Sequence, residues 1–177
     1  MLRLLFIYLL ANLASGCAHL HGPAESNVLG PKQVAIPLFR NPGARDKLFI
    51  EVILEDGKPR IFLLDTGSSL SMVSRQVALD LDLAIQHKTS QIRGINGSTD
   101  WVGSRLKQVQ LGAFRLMDVP VAVGIKGVPS HVGLVPIGGL IGNDILSQFQ
   151  VQIDYPGQEL TLSRANTTEV PEYAVPL

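Results

Sequence analysis

The chain has 177 residues, enough for one sizeable core and too few for two. Its 46% hydrophobic content belongs to a globular protein, and 17 glycines with 11 prolines, against few long helical patterns, favour an all-β domain rich in turns. A formal net charge of +0, with 15 Lys and Arg scattered along the chain, leaves no electrostatic footprint for nucleic acid or an anionic membrane surface. The 4 histidines form no metal-ligand spacing with cysteine, so no metal or other cofactor is expected. The single cysteine, Cys17, excludes an intrachain disulfide.

Met1-Leu2-Arg3 opens the chain, followed by an apolar run from Leu4 to Ala14 and the small residues Ser15 and Gly16. A basic start, a short apolar core and small residues before a cut site describe a secretory signal peptide over residues 1–16. The run is too short to span a bilayer comfortably. Leu13-Ala14-Ser15-Gly16-Cys17 resembles the lipobox of bacterial lipoproteins, with Ala14 standing where that family most often has Leu. The resemblance implies cleavage before Cys17 and lipidation of its sulfur and its new amino group, and several acyl chains anchor far more firmly than one. The other reading is an ordinary signal peptide that leaves a free thiol. Ala18 resembles the residue of members sorted to the outer membrane, which implies the periplasmic face of that membrane. Residues 17–32 then read as a lipidated N-terminus and tether, because His19 to Pro31 is Gly, Pro, Ser, Asn and His with little periodicity.

A folded domain is expected over residues 33–164. Gln33 to Leu38 reads as a short strand whose proline suggests a sheet edge. Lys47 to Leu54 and Arg60 to Leu64 are strands joined by a turn containing Asp56-Gly57, the strongest local hairpin signal. Leu70 to Val73 is another short buried strand, and Ser74 is placed to cap a helix through Gln76 to Leu81. Ile85 to Ile92 reads as a strand, and Arg93 to Gly103 as a hairpin with a mobile glycine tip. Gln108 to Gly112 and Leu116 to Val123 form the next hairpin-like pair, followed by a glycine-rich apolar stretch from Val132 to Leu146. Phe149 to Asp154 and Glu159 to Ser163 alternate cleanly as a terminal hairpin. Residues 165–177 read as a loose tail.

The apolar pattern meets an acid in Phe62-Leu63-Leu64-Asp65-Thr66-Gly67-Ser68-Ser69. A carboxylate at the end of a buried strand is costly to desolvate unless donors hold it. Gly67 permits close backbone approach, while Thr66 and Ser68 bring hydroxyl and backbone donors. Asp65 is therefore expected to be a catalytic acid on a rigid hairpin arm, with Thr66, Gly67 and Ser68 supporting its loop. Trp101 near the glycine hairpin is either a substrate contact or a packing residue at the hairpin base.

That segment, followed by Gly139-Leu140-Ile141-Gly142-Asn143-Asp144, resembles the retropepsin-like aspartic proteases, the single-lobed members of their clan. The likeness runs from about Val34 to Ser163 and takes in the Asp56-Gly57 hairpin, the glycine hairpin and the closing strands. It implies a closed β-barrel or sandwich with a flap hairpin and one or two short helices. It implies that Leu140, Ile141 and Gly142 lie beneath the loop bearing the acid, and that Asp144 makes structural hydrogen bonds instead of serving as a second acid. Peptide hydrolysis by this chemistry takes two carboxyls sharing one proton, one activating water and one polarising the carbonyl. Aspartic proteases are the standard example of two like charges that cannot both ionise at close range. With a single Asp-Thr-Gly, the resemblance implies a homodimer in which Asp65 of each protomer meets across a two-fold axis. Thr66 would brace the partner loop, and Gly94, Ile95, Asn96 and Gly97 would form the flap over substrate.

The expected function is an aspartic endopeptidase acting on polypeptides, lipid-anchored in a bacterial envelope, with no nucleic-acid partner. Ile95, Val123 and Ile137 are loosely expected to line its pocket. The alternative is an inactive retropepsin-fold lipoprotein serving as a binding or assembly module, since a fold does not dictate a function. A nucleophilic hydrolase lacks a Ser, His and Asp arrangement, and lacks a free thiol once Cys17 is lipidated.

Overall fold

A computed structural model of the chain describes residues 27–41, 44–84, 89–94, 97–124, 131–132 and 135–164. Residues 1–16, Cys17, the residues Ile95 and Asn96 expected in a flap, and the tail at 165–177 lie outside the described residues. The first strands are β1 (Val28–Leu29), β2 (Gln33–Pro37), β3 (Phe39–Asn41), β4 (Ala44–Leu54), β5 (Pro59–Leu64) and β6 (Met72–Val73). A short helix α1 (Arg75–Asp80) leads to β7 (Thr89–Gly94), β8 (Gly97–Leu111) and β9 (Phe114–Gly124). Then come β10 (His131–Val132), β11 (Val135–Pro136), β12 (Gly139–Ile141) and α2 (Asn143–Leu146), and the terminal strands β13 (Phe149–Asp154) and β14 (Glu159–Arg164).

Six of these strands close on themselves in the order β4, β5, β12, β6, β9 and β8, with β8 returning to β4. Closure leaves no free edge within the ring. β1 adds to β9, β3 to β4 and β7 to β8, while β13, β14 and β2 form a separate three-stranded sheet with β2 at its edge. The fold is thus a predominantly β closed barrel with two short helices, as expected from the sequence.

Period-two alternation explains which faces turn inward. Ile50, Val52 and Leu54 of β4, Val102 and Leu106 of β8, and Val119, Val121 and Val123 of β9 share one core with Leu160 and Leu162 of β14. A smaller cluster of Phe49, Leu63 and Ile137 uses the alternate positions. Two expectations are corrected here. Val123 is 2% exposed and Ile137 is 5% exposed, so both are core residues.

Ordered chain also reaches back into the segment expected to be a tether. Val28 is buried beside β9, and the Arg164 guanidinium donates from Nη2 to the carbonyls of Val28 at 3.1 Å and Gly30 at 2.9 Å. Gly30 has φ +134°, and a Cβ there would meet the Ala113 carbonyl oxygen at 2.7 Å, so glycine is required for this approach. Between Gly97 and Leu111 the chain is one continuous strand, where a break before Gln108 was expected. Its pairing with β9 runs from Trp101 opposite Gly124 to Leu111 opposite Phe114. Ser74 caps α1 as expected, its Oγ accepting from the Val77 amide at 3.3 Å.

The β4–β5 hairpin is clamped by a two-pronged ion pair. Arg60 reaches Asp56 through Nη1–Oδ1 at 2.8 Å and Nη2–Oδ2 at 2.7 Å, and the Lys58 amide adds a third bond at 3.2 Å. The guanidinium holds the Asp56 carboxyl well below the usual carboxylate range, against an opposing effect of burial. A depressed acid stabilises the fold fully above its unfolded value, near 4, and loses that contribution as pH falls toward its folded value. Asp56→Asn is expected to cost about 0.5–1 kcal/mol at pH 7, as for a partly exposed pair. The gap between wild type and variant should narrow steadily below about pH 4, read as urea midpoints across a pH series.

Candidate active site

β5 carries Phe62, Leu63 and Leu64 into the core and releases the chain at Asp65, which is half-buried. β12 lies parallel to β5, with Ile141 opposite Leu64, and the Ile141 carbonyl accepts from the Asp65 amide at 3.0 Å. The acid therefore begins its loop with its backbone already fixed to the barrel. The Gly67 amide donates to Asp65 Oδ1 at 3.0 Å, and the Ser68 amide to the Asp65 carbonyl at 3.2 Å. Oδ2 of Asp65 makes no hydrogen bond among the described residues. One oxygen is thus held and the other left available, an arrangement suited to accepting or donating a proton. Thr66 and Gly67 are exposed, and Ser68 Oγ donates to the Leu70 carbonyl at 2.8 Å.

The second motif sits directly behind this loop. Asn143 donates from Nδ2 to the Thr66 carbonyl at 2.9 Å and from its amide to the Ser68 carbonyl at 2.8 Å. Gly142 packs so closely that a Cβ would meet the Leu70 carbonyl oxygen at 2.7 Å and the Ser68 carbonyl oxygen at 2.9 Å. Leu140 and Ile141 belong to β12, inserted between β5 and β6. Asp144 Oδ1 accepts from Ser71 Oγ at 2.6 Å and from the Ile145 amide at 2.9 Å, while Oδ2 accepts from the Ser71 amide at 2.9 Å. Ser71 Oγ in turn accepts from the Gly142 amide at 2.9 Å. Both Asp144 oxygens are occupied by the fold.

Asn143 and Ser71 carry much of this support and were not singled out from the sequence. Asn143 had a signal, its place inside the Gly139–Asp144 motif. Ser71, 1% exposed, had none beyond being a polar residue in an apolar stretch.

A cavity of about 180 Å³ opens beside Asp65 and Thr66, walled by Leu48, Leu63, Leu64 and Ile153, with Lys47 and Tyr155 also lining it. A second cavity of about 270 Å³ is lined by Leu70, Trp101, Ala122 and Asp144 among others. Trp101 is half-buried opposite Gly124, and its buried Nε1 has no partner among the described residues. Gly94 pairs with Gly97 at the end of the β7–β8 hairpin, which brackets the position of Ile95 and Asn96.

Comparison with known proteins places this geometry. The chain is similar to a retropepsin-like aspartic protease from Rickettsia conorii, with 20% identity over 77% of this chain and 92% of that one and a TM-score of 0.52. A weaker likeness, at 18% identity, 62% and 91% coverage and a TM-score of 0.43, is to the EIAV protease in complex with the inhibitor HBY-793. No curated protein matches the chain. The fold is that of the retropepsin-like proteases. The aspartyl protease family matches residues 50–145, a span that holds both the Asp65 loop and the Gly142–Asp144 turn behind it, and the chain belongs to that family.

Proposed function

We propose that this protein is an aspartic endopeptidase whose catalytic acid is Asp65. The observation that carries the reading is the contrast between two carboxylates. Asp65 has one oxygen fixed by the Gly67 amide and stands at the mouth of a cavity, whereas Asp144 is consumed by Ser71 and Ile145. One protomer then supplies one working acid, and the chemistry takes two carboxyls sharing a proton, so the active enzyme is a homodimer joined through the Asp65 loops. One Asp65 takes a proton from water as it attacks the scissile carbonyl, and the other donates a proton to the carbonyl oxygen. Exposed Thr66 braces the partner loop, and the Gly94–Gly97 hairpin closes over the substrate and excludes water. The domain is tethered through a lipidated Cys17 to the bacterial envelope, on the periplasmic face of the outer membrane, where it meets polypeptide substrates.

The test is hydrolysis of an unfolded protein at mildly acidic pH, with inhibition by a pepstatin-like compound. Specific activity should fall on dilution, as dimers dissociate. Activity that stays constant far below the measured dimer dissociation constant would rule out the shared site. Binding of unfolded protein with no cleavage at any concentration would favour the binding-module reading.

A further inference from the structure

The cavity beside Asp65 has a charge that the proposed chemistry does not use. Lys47, near the start of the described part of β4, lines it together with Asp65 and Thr66, and its side chain is exposed. Among the described residues Lys47 makes no ion pair or hydrogen bond. A second cation, Arg40, lies outside this lining but against one of its residues, Tyr155. Arg40 donates from Nη2 to the Tyr155 carbonyl at 3.0 Å, and its guanidinium lies 5.7 Å from the centre of the Tyr155 ring. The neighbouring acid Asp154 is turned into its own loop, where Oδ1 accepts from the Gly157 amide at 2.9 Å. Among the described residues Asp65 is thus the one acid lining this cavity.

We propose that Lys47 is a specificity-determining residue that selects an acidic side chain in the polypeptide bound across Asp65. The proposal rests on the protease reading for what crosses the site, and adds which residue that polypeptide presents. The exposed lining of the cavity is mostly polar, so Lys47 meets an incoming side chain as a partly hydrated ammonium, and the contact acts through charge and position. Without Lys47, the one charge that a carboxylate would meet in the described lining of this cavity is the like charge of Asp65. With Lys47 it finds a flexible ammonium able to swing toward it, and Arg40 adds positive potential behind Tyr155. Glutamine, of the same shape, gains much less. Charge complementarity of this kind acts on selectivity more than on total affinity.

The experiment uses the full chain carrying Asp65→Asn, so that binding is read without turnover. Its probes are fluorescent peptides matched in pairs with Glu or Gln at each position, and the readout is anisotropy. At one position the Glu peptide should bind about two- to fivefold tighter than its Gln partner, the range for an exposed pair. That ratio should fall to about one in Lys47→Met and persist in Lys47→Arg. The proposal is overturned by equal binding of every pair, by a ratio that survives Lys47→Met, or by no binding of any peptide. It is overturned too if Lys47→Met weakens the dimer with the ratio unchanged, since Lys47 would then face the partner protomer. The same pairs offered to the chain with Asp65 intact separate the two claims: a Glu preference in binding with no cleavage refutes the protease reading and leaves the role of Lys47 standing.

Discussion

Asp65→Asn is expected to reduce peptide hydrolysis by about 10⁴-fold, the upper end of what a positioned acid or base contributes. The loss is large because the dimer would lose both carboxyls at once, and an amide can neither take the proton from water nor return it to the carbonyl. Folding should be spared. Asn keeps an oxygen where Oδ1 accepts from the Gly67 amide at 3.0 Å, and its backbone keeps the bond to the Ile141 carbonyl at 3.0 Å. The half-buried setting and the near-identical shape put the stability change within about 0.5 kcal/mol. The comparison is kcat/KM on a peptide substrate beside urea unfolding of both proteins. Full activity in the Asn variant would remove Asp65 from the mechanism. Lost activity with a matching loss of stability would make it a structural acid instead.

Legibility followed locality. The β4–β5 hairpin could be read because alternating apolar residues flank Asp56-Gly57, and both signals act within a few residues. The same holds for the Ser74 cap and for β13–β14, whose register runs to Asp154 opposite Glu159 around a four-residue turn. What escaped depends on distant partners. β1 is two residues long and has no periodicity of its own; its order comes from β9 and from Arg164 at the far end of the chain. The glycines before Leu140 were visible, but their cause was not. A Cβ at Gly139 would run into the Phe62 ring and the Met72 carbonyl, because β12 threads between β5 and β6. Val123 was loosely expected at a pocket, and alternation alone, without the register against Val102, does not say which face is core. The site divides the same way. The Asp65 loop is written in one contiguous motif, whereas Ser71 acquires its role only when the fold brings Asp144 and Gly142 to it.

That meeting point carries the second large effect. Asp144→Ala is expected to cost about 3 kcal/mol. Its carboxylate accepts from Ser71 Oγ at 2.6 Å and from the Ser71 amide at 2.9 Å, and Ser71 is 1% exposed, so water can replace the lost partner only by way of the cavity that Asp144 lines. A buried donor left unpaired costs about 1–3 kcal/mol, and a hydrogen bond to a charged group contributes a similar amount. The Ile145 amide suffers less, since it also reaches the Gly142 carbonyl at 3.2 Å. For a domain of this size the loss corresponds to a fall in Tm of about 6–12 °C. Asp144→Asn should lie between the two, because it keeps one acceptor oxygen but turns an amide NH₂ toward a donor. Activity should decline with stability, since Ser71 Oγ also holds the Gly142 amide and Gly142 packs on Ser68 in the Asp65 loop. The opposite pattern, an Asn variant as stable as wild type and without activity, would make Asp144 a reacting acid. A single chain would then hold both carboxyls, and the need for a dimer would disappear with it.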